Sequence, residues 1–141
     1  MIEQIINGIL TAISEEFGDE YTLYTESVKQ GMKEPCFFVF CISPNTRVFR
    51  GRRYYHENQF AIQYLTAADE PRAECASVAE RLFACLELIT VDGDLMRGTD
   101  MNADISDEVL TFTVNYNYFS YVANTEEPME VFEGTETEVK G

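Results

Sequence analysis

Val109-Leu110-Thr111-Phe112-Thr113-Val114-Asn115-Tyr116-Asn117-Tyr118 alternates apolar and polar side chains from Leu110 onward. Successive side chains of a strand point to opposite faces. Leu110, Phe112, Val114, Tyr116 and Tyr118 therefore share one face, and Thr111, Thr113, Asn115 and Asn117 the other. A sheet with a single apolar face needs a covering layer, so the rest of the chain must supply one.

Working outward, the strand extends over Val109 to Val122 and is joined through Ser106-Asp107-Glu108 to a second strand, Leu95 to Ile105. Asp92-Gly93 before it is a strong turn signal. The covering layer precedes that turn. Asp69 and Glu70 followed by Pro71 open a helix, since Pro suits the first helical position and negative charge favours the dipole there. Cys75, Val78, Ala79, Leu82, Phe83, Leu86 and Ile89 follow at helical spacing. A second helix stands at the start of the chain, where Ile2, Ile5, Ile6, Ile9, Leu10, Ile13 and Phe17 form one apolar stripe and Gly18 is expected to end it in a left-handed conformation. Between the helices, Tyr21 to Val28 and Tyr54 to Thr66 alternate as strands. Gln30 to Pro35 is a polar connection, and Pro44 to Arg53 reads as a loop or irregular hairpin. Cys36-Phe37-Phe38-Val39-Phe40-Cys41-Ile42 is a continuous apolar run, expected to be a strand covered on both faces. The order is α-β-β-β-α-β-β, an α+β fold with two helices packed on one face of a mostly antiparallel sheet.

The chain has 141 residues, enough for one ordinary core. Residues 1–123 form that domain. Residues 124–141 form an acidic tail, with glutamates at 126, 127, 130, 133, 136 and 138 against Lys140, expected to be disordered alone or ordered by a partner. No stretch is long and apolar enough for a membrane-spanning helix. Met1-Ile2-Glu3-Gln4 lacks the basic start of a secretory signal, so folding in the cytoplasm is expected.

Twenty-five acidic residues oppose ten basic ones, a net charge of −15. Such a surface repels phosphate backbones and anionic membranes, although a channel that DNA slides through is better negative than adhesive. Cys36, Cys41, Cys75 and Cys85 contain no Cys-x-x-Cys pair, and His56 is the single histidine, so zinc has no ligand set of the usual spacing. The cysteines read as structural thiols. Asp92, Asp94, Asp100 and Asp104 do not follow the alternation of a calcium loop, because the segment turns apolar at Leu95. No phosphate loop or nucleophile elbow is present. His56 reads as an ordinary surface or edge residue. Neither a catalytic site nor a metal or cofactor site is expected.

One local feature breaks the acidic pattern. Arg47, Arg50, Arg52 and Arg53 place four of the ten basic residues within seven positions, next to Tyr54 and Tyr55. They suit a solvated loop, a loop docking on an acidic neighbour, or, less readily, a nucleic-acid contact. One basic loop on a very acidic chain is complementary to another copy of itself in a head-to-tail sense, and such contacts close rings.

Ile5-Ile6-Asn7-Gly8-Ile9, Glu34 to Phe38, Arg53-Tyr54-Tyr55, Asn58-Gln59-Phe60, Ala79 to Phe83, Thr90 to Asp94, Arg97 to Met101 and Val114-Asn115-Tyr116 occur in an order that resembles the small tail-terminator (tail-completion) proteins of phages and prophages of Gram-positive bacteria. The resemblance spans residues 2 to 122 and leaves the acidic tail outside. It implies a non-enzymatic protein forming a homohexameric ring on the last tail-tube ring, ending polymerisation and meeting the head connector, with DNA passing through the ring without specific binding. It also implies assembly in the bacterial cytoplasm and residence at the head-proximal end of the virion tail. In that setting Arg47, Arg50, Arg52 and Arg53, together with Glu126, Glu127, Glu130 and Phe132 of the tail, are the expected protein-interaction residues. A different neck or head-completion ring protein, or a small phage-encoded adaptor, are the competing readings.

Overall fold

The computed structural model describes residues 1–25 and 33–121. Within these, the apolar stripe at the start folds as α1 (Ile2–Phe17) and buries Ile5, Ile9 and Ile13 completely. Gly18 ends the helix at φ 87°, ψ −166°, where its N–H still reaches Ser14 O. Positive φ is as expected for glycine, but ψ is extended rather than left-handed helical, so this is a sharp exit from the helix and not an αL cap.

The remaining elements are β1 (Thr22–Tyr24), β2 (Cys36–Arg50), β3 (Arg53–Leu65), α2 (Pro71–Cys85), β4 (Leu88–Val91), β5 (Asp94–Ser106), β6 (Val109–Tyr116) and β7 (Tyr118–Tyr121). They form a seven-stranded mixed sheet in the order β1-β2-β3-β6-β5-β4, with β7 paired to β3. Every pairing is antiparallel except β1 with β2. The expected architecture is present, two helices on a mostly antiparallel sheet, with short β4 and β7 added to it.

Several local readings change. β1 ends at Tyr24, and the remainder of the expected Tyr21–Val28 strand falls largely outside the described residues. Leu86 closes α2, and Ile89 belongs to β4, not to the helix face. Both side chains are buried in the same core, which is why helical spacing persists across the change from helix to strand. Of the two readings of Pro44 to Arg53, the irregular hairpin is the one found: β2 continues to Arg50 paired with β3, with register shifts between Cys41 and Ser43 and between Val48 and Arg50. The strand expected from Val109 onward is interrupted at Asn117. There the Asn117 Oδ1 accepts from Asn58 N (3.1 Å), while Asn58 Nδ2 donates to Tyr116 O (3.2 Å). Two asparagine side chains replace the missing ladder bonds, and the pairing with β3 resumes in the same register.

The core lies between the helices and one sheet face. Ile5, Ile9 and Ile13 meet Val78, Leu82 and Leu86 above Phe37, Phe60, Ile62 and the inward residues of β6. The alternation of β6 holds, with Leu110, Phe112, Val114 and Tyr116 fully buried. The Tyr116 hydroxyl is satisfied by Leu86 O at 2.6 Å. Gly8 lets α1 lie directly on β4: a Cβ there would stand 2.7 Å from Thr90 O. Arg81 of α2 fastens the end of α1, donating to the Glu16 carboxylate (3.0 Å) and the Glu16 carbonyl (2.8 Å) while stacking over Phe17 (4.2 Å). β2 is not covered on both faces as its apolar run suggested. Phe37 and Val39 enter the core, whereas Phe38 and Phe40 stay half-buried on the far face, where Tyr24 packs on Phe38 at 5.1 Å.

Candidate functional site

From Ser43 onward β2 runs past the helical layer, and its residues to Arg50 are all exposed. With no layer to bury against, this segment has no reason to alternate apolar and polar residues. The β2–β3 hairpin nevertheless stays ordered because β7 adds a third strand, pairing Tyr118–Tyr121 with Arg53–His56. The result is a three-stranded arm carrying all four arginines of the cluster. Arg47 and Arg50 lie on β2, Arg52 at the turn and Arg53 at the start of β3.

The two faces of the arm differ. On one, arginines and rings interleave. Arg47 sits over Tyr55 (5.1 Å), and Tyr55 packs on Phe119 (4.7 Å), which meets Phe49 edge-on (5.0 Å). Arg53 lies over both Phe119 (4.7 Å) and Phe49 (5.6 Å). Arg52 stacks on Tyr121 and donates to its hydroxyl at 2.8 Å. Glu57 is the single carboxylate within the arm strands, paired with Arg47 at 3.1 Å. Phe49 is 51% and Tyr121 62% exposed, so this is a surface of half-covered rings topped with guanidinium groups. Cation–π contacts of this exposure contribute about 0.5–1 kcal/mol each, enough to favour the stacked positions of Arg47, Arg52 and Arg53.

The opposite face is organised by His56, which is only 7% exposed. The expectation of a surface or edge position is overturned: β3 is central in the arm, and His56 stacks on Tyr118 at 4.4 Å. Its Nδ1 is 3.0 Å from Thr46 Oγ1 and its Nε2 2.7 Å from Ser120 Oγ, so one residue links all three strands. Burial, and then the positive charge of the amino terminus, lower its pKa and favour the neutral ring. A concavity of about 590 Å³ lies beside it, lined in part by Met1, Ile2, Glu3 and Tyr54. Ser–His proximity is the beginning of a nucleophilic site, yet a Thr46 hydroxyl stands where a carboxylate would orient and charge the imidazole. Ser120 also lies within a strand and not on an exposing turn.

Elsewhere, Asp92 (φ 52°) and Gly93 (φ 85°) form the expected β4–β5 hairpin turn. Among the described residues no group of three or more His, Cys, Asp or Glu side chains is placed to hold a metal ion. Cys36, Cys41, Cys75 and Cys85 are all free thiols, and burial raises each pKa, that of Cys85 to about 12. They are therefore protonated and weakly nucleophilic, as structural thiols should be. Glu126, Glu127, Glu130 and Phe132 lie outside the described residues. Tyr55 is the ring that the sequence already places beside the arginines; Phe49, Phe119 and Tyr121 are not among its candidate residues. The period-two pattern Arg47, Phe49 and Arg53, Tyr55 was a usable signal, but Phe119 and Tyr121 reach the arm only through the fold.

No helix among the described residues is long and apolar enough to cross a membrane. No curated protein matches the chain. One solved structure aligns over 83% of this chain and 95% of its own at 14% identity, with a TM-score of 0.40, too low a likeness to support a statement about fold or function. The model of a family described as phage tail terminator protein matches residues 4–129, which takes in all of α1 after its first two residues, α2, the whole sheet and the arm. The chain belongs to the phage tail terminator family, structural components of the phage tail that interact with other tail components.

Proposed function

We propose that this protein closes as a homohexameric ring on the last ring of the tail tube, ends tube polymerisation and presents the opposite surface to the head connector. The observation that carries this reading is the segregation of charge. Four arginines project on one arm from a chain of net charge −15. A basic protrusion meeting an acidic body is a heterologous contact, and repeating it about an axis produces a ring. The acidic remainder suits a lumen that DNA crosses without being held, since duplex affinity depends on Lys and Arg neutralising phosphates. No catalytic step and no cofactor belongs to this role. Assembly in the bacterial cytoplasm, followed by a place at the head-proximal end of the tail, completes it.

The test is a binding and mass measurement. The wild-type chain should sediment with purified tail tubes and show a hexameric mass there or free in solution. The variant Arg47→Glu/Arg50→Glu/Arg52→Glu/Arg53→Glu should keep a folded, cooperatively melting monomer and lose both properties. Binding to filled heads in preference to tubes would instead support a head-completion ring. A monomer with affinity for neither would support a soluble adaptor.

A further inference from the structure

Among the described residues, the arm face built from Arg47, Phe49, Arg53 and Phe119 is a cationic, aromatic surface with one carboxylate beside it. Outside the arm, Arg81 pairs with Glu16 and Arg97 with Glu87, whereas the arm strands offer their clustered arginines the one carboxylate of Glu57, paired with Arg47. The surface therefore calls for a segment rich in carboxylates with a ring or two among them. The chain carries such a segment directly after the arm. The twenty residues following Tyr121 contain Glu126, Glu127, Glu130, Glu133, Glu136 and Glu138, with Met129 and Phe132 between them and Lys140 as the only base.

The direction of β7 decides where that segment starts. β7 is antiparallel to β3, and its last residue, Tyr121, pairs with Arg53 at the tip of the hairpin. β7 thus runs away from the core and ends at the far end of the arm, with Tyr121 held by Arg52. Twenty residues can span on the order of 60 Å when extended, the scale of a neighbouring subunit. We propose that the acidic segment 122–141 of one copy docks on the arginine–aromatic face of the arm of a second copy. Glu126, Glu127 and Glu130 pair with Arg47, Arg50 and Arg53, and Phe132 adds a ring to the Phe49–Phe119 cluster. This rests on the proposed ring only in taking the partner to be another copy of the chain.

A labelled peptide of residues 122–141, titrated into the full chain, should bind and weaken as salt is raised, because the contact is between exposed charges. Arg47→Glu/Arg50→Glu/Arg53→Glu should reduce that affinity by about tenfold or more. Charge exchange separates contact between copies from contact within one. A chain with Glu126→Lys/Glu127→Lys/Glu130→Lys and a chain with the three arm reversals should each fail to self-associate alone. Mixed in equal amounts they should associate, since each tail then meets a complementary arm. Recovery only when both sets of reversals are in one chain would place the tail on its own arm and overturn the proposal. Peptide binding unaffected by the arm reversals, or no binding at all, would also overturn it. Overlong tubes are not its readout: correct tube ends without peptide binding would sink this contact and leave the ring, and peptide binding without tube capping would do the reverse.

Discussion

His56 shows how much one residue can do in a segment that lacks a covering layer. It ties β2 through Thr46 and β7 through Ser120, and its ring is stacked on Tyr118. Its folded pKa lies below the ordinary histidine value, so the unfolded chain takes up a proton first as the solution is acidified. The stabilisation from the neutral ring is accordingly complete above about pH 6.5 and is lost as pH falls below it. In wild-type protein the arm should loosen on mild acidification, seen as lower amide protection factors at Tyr54, His56 and Ser120, each taken relative to the intrinsic exchange rate at that pH. His56→Gln should show a smaller difference in arm protection between neutral and mildly acidic solution, because the titrating group is gone. Equal acid sensitivity of the two proteins would remove His56 from this role. The position was not legible in the sequence. Arg-Arg-Tyr-Tyr-His-Glu-Asn reads as a solvated strand start, and the residues that bury His56 arrive from more than sixty positions later.

The elements were legible wherever a helix and a sheet face bury each other. α1, α2, β3 and β6 carry periodicities set by a shared core, and these were readable in Ile5, Ile9 and Ile13 or in Leu110, Phe112 and Val114. Where burial is shared differently, the pattern misled. Ile89 keeps helical spacing with Leu82 and Leu86 because β4 delivers it to the same core. Pro44 to Arg53 left a loop and an irregular hairpin equally open because no helix opposes it, and β3 pairs with it almost to the tip. The arginine quartet and the adjacent Tyr55 were visible in the sequence; Phe119 and Tyr121 were not, since β7 supplies them from the other end of the chain. At the same scale, the join between the helices rests on Arg81. Arg81→Ala should lower stability by about 1–2 kcal/mol, with the exposed ion pair the smaller part and the stacked, carbonyl-bonded guanidinium the larger. Arg81→Lys should recover little of this, as an ammonium cannot reproduce the planar stack and forked donors. Thermal unfolding of the two variants checks both statements, and full recovery by lysine would mean that charge alone matters.

For the whole molecule, the governing quantity is the distribution of charge and not its total. A chain at −15 with randomly placed bases would simply repel its copies. Gathering four arginines on a projecting arm gives it one attractive surface, oriented by strand pairing and ring contacts. Ring or tail assembly should therefore weaken as salt is raised, whereas the fold, held by an apolar core, should change little over the same range. Light scattering and circular dichroism across a salt series would register the two separately. Membership of the tail terminator family supplies the setting, and the arm supplies the contact proposed for it. The most direct test of that central claim is electron microscopy of tails assembled with and without this protein. Overlong, open-ended tubes in its absence, restored to uniform length by the wild-type chain and not by the variant with four arginine reversals, are the expected result. Tubes of normal, uniform length in its absence would contradict it.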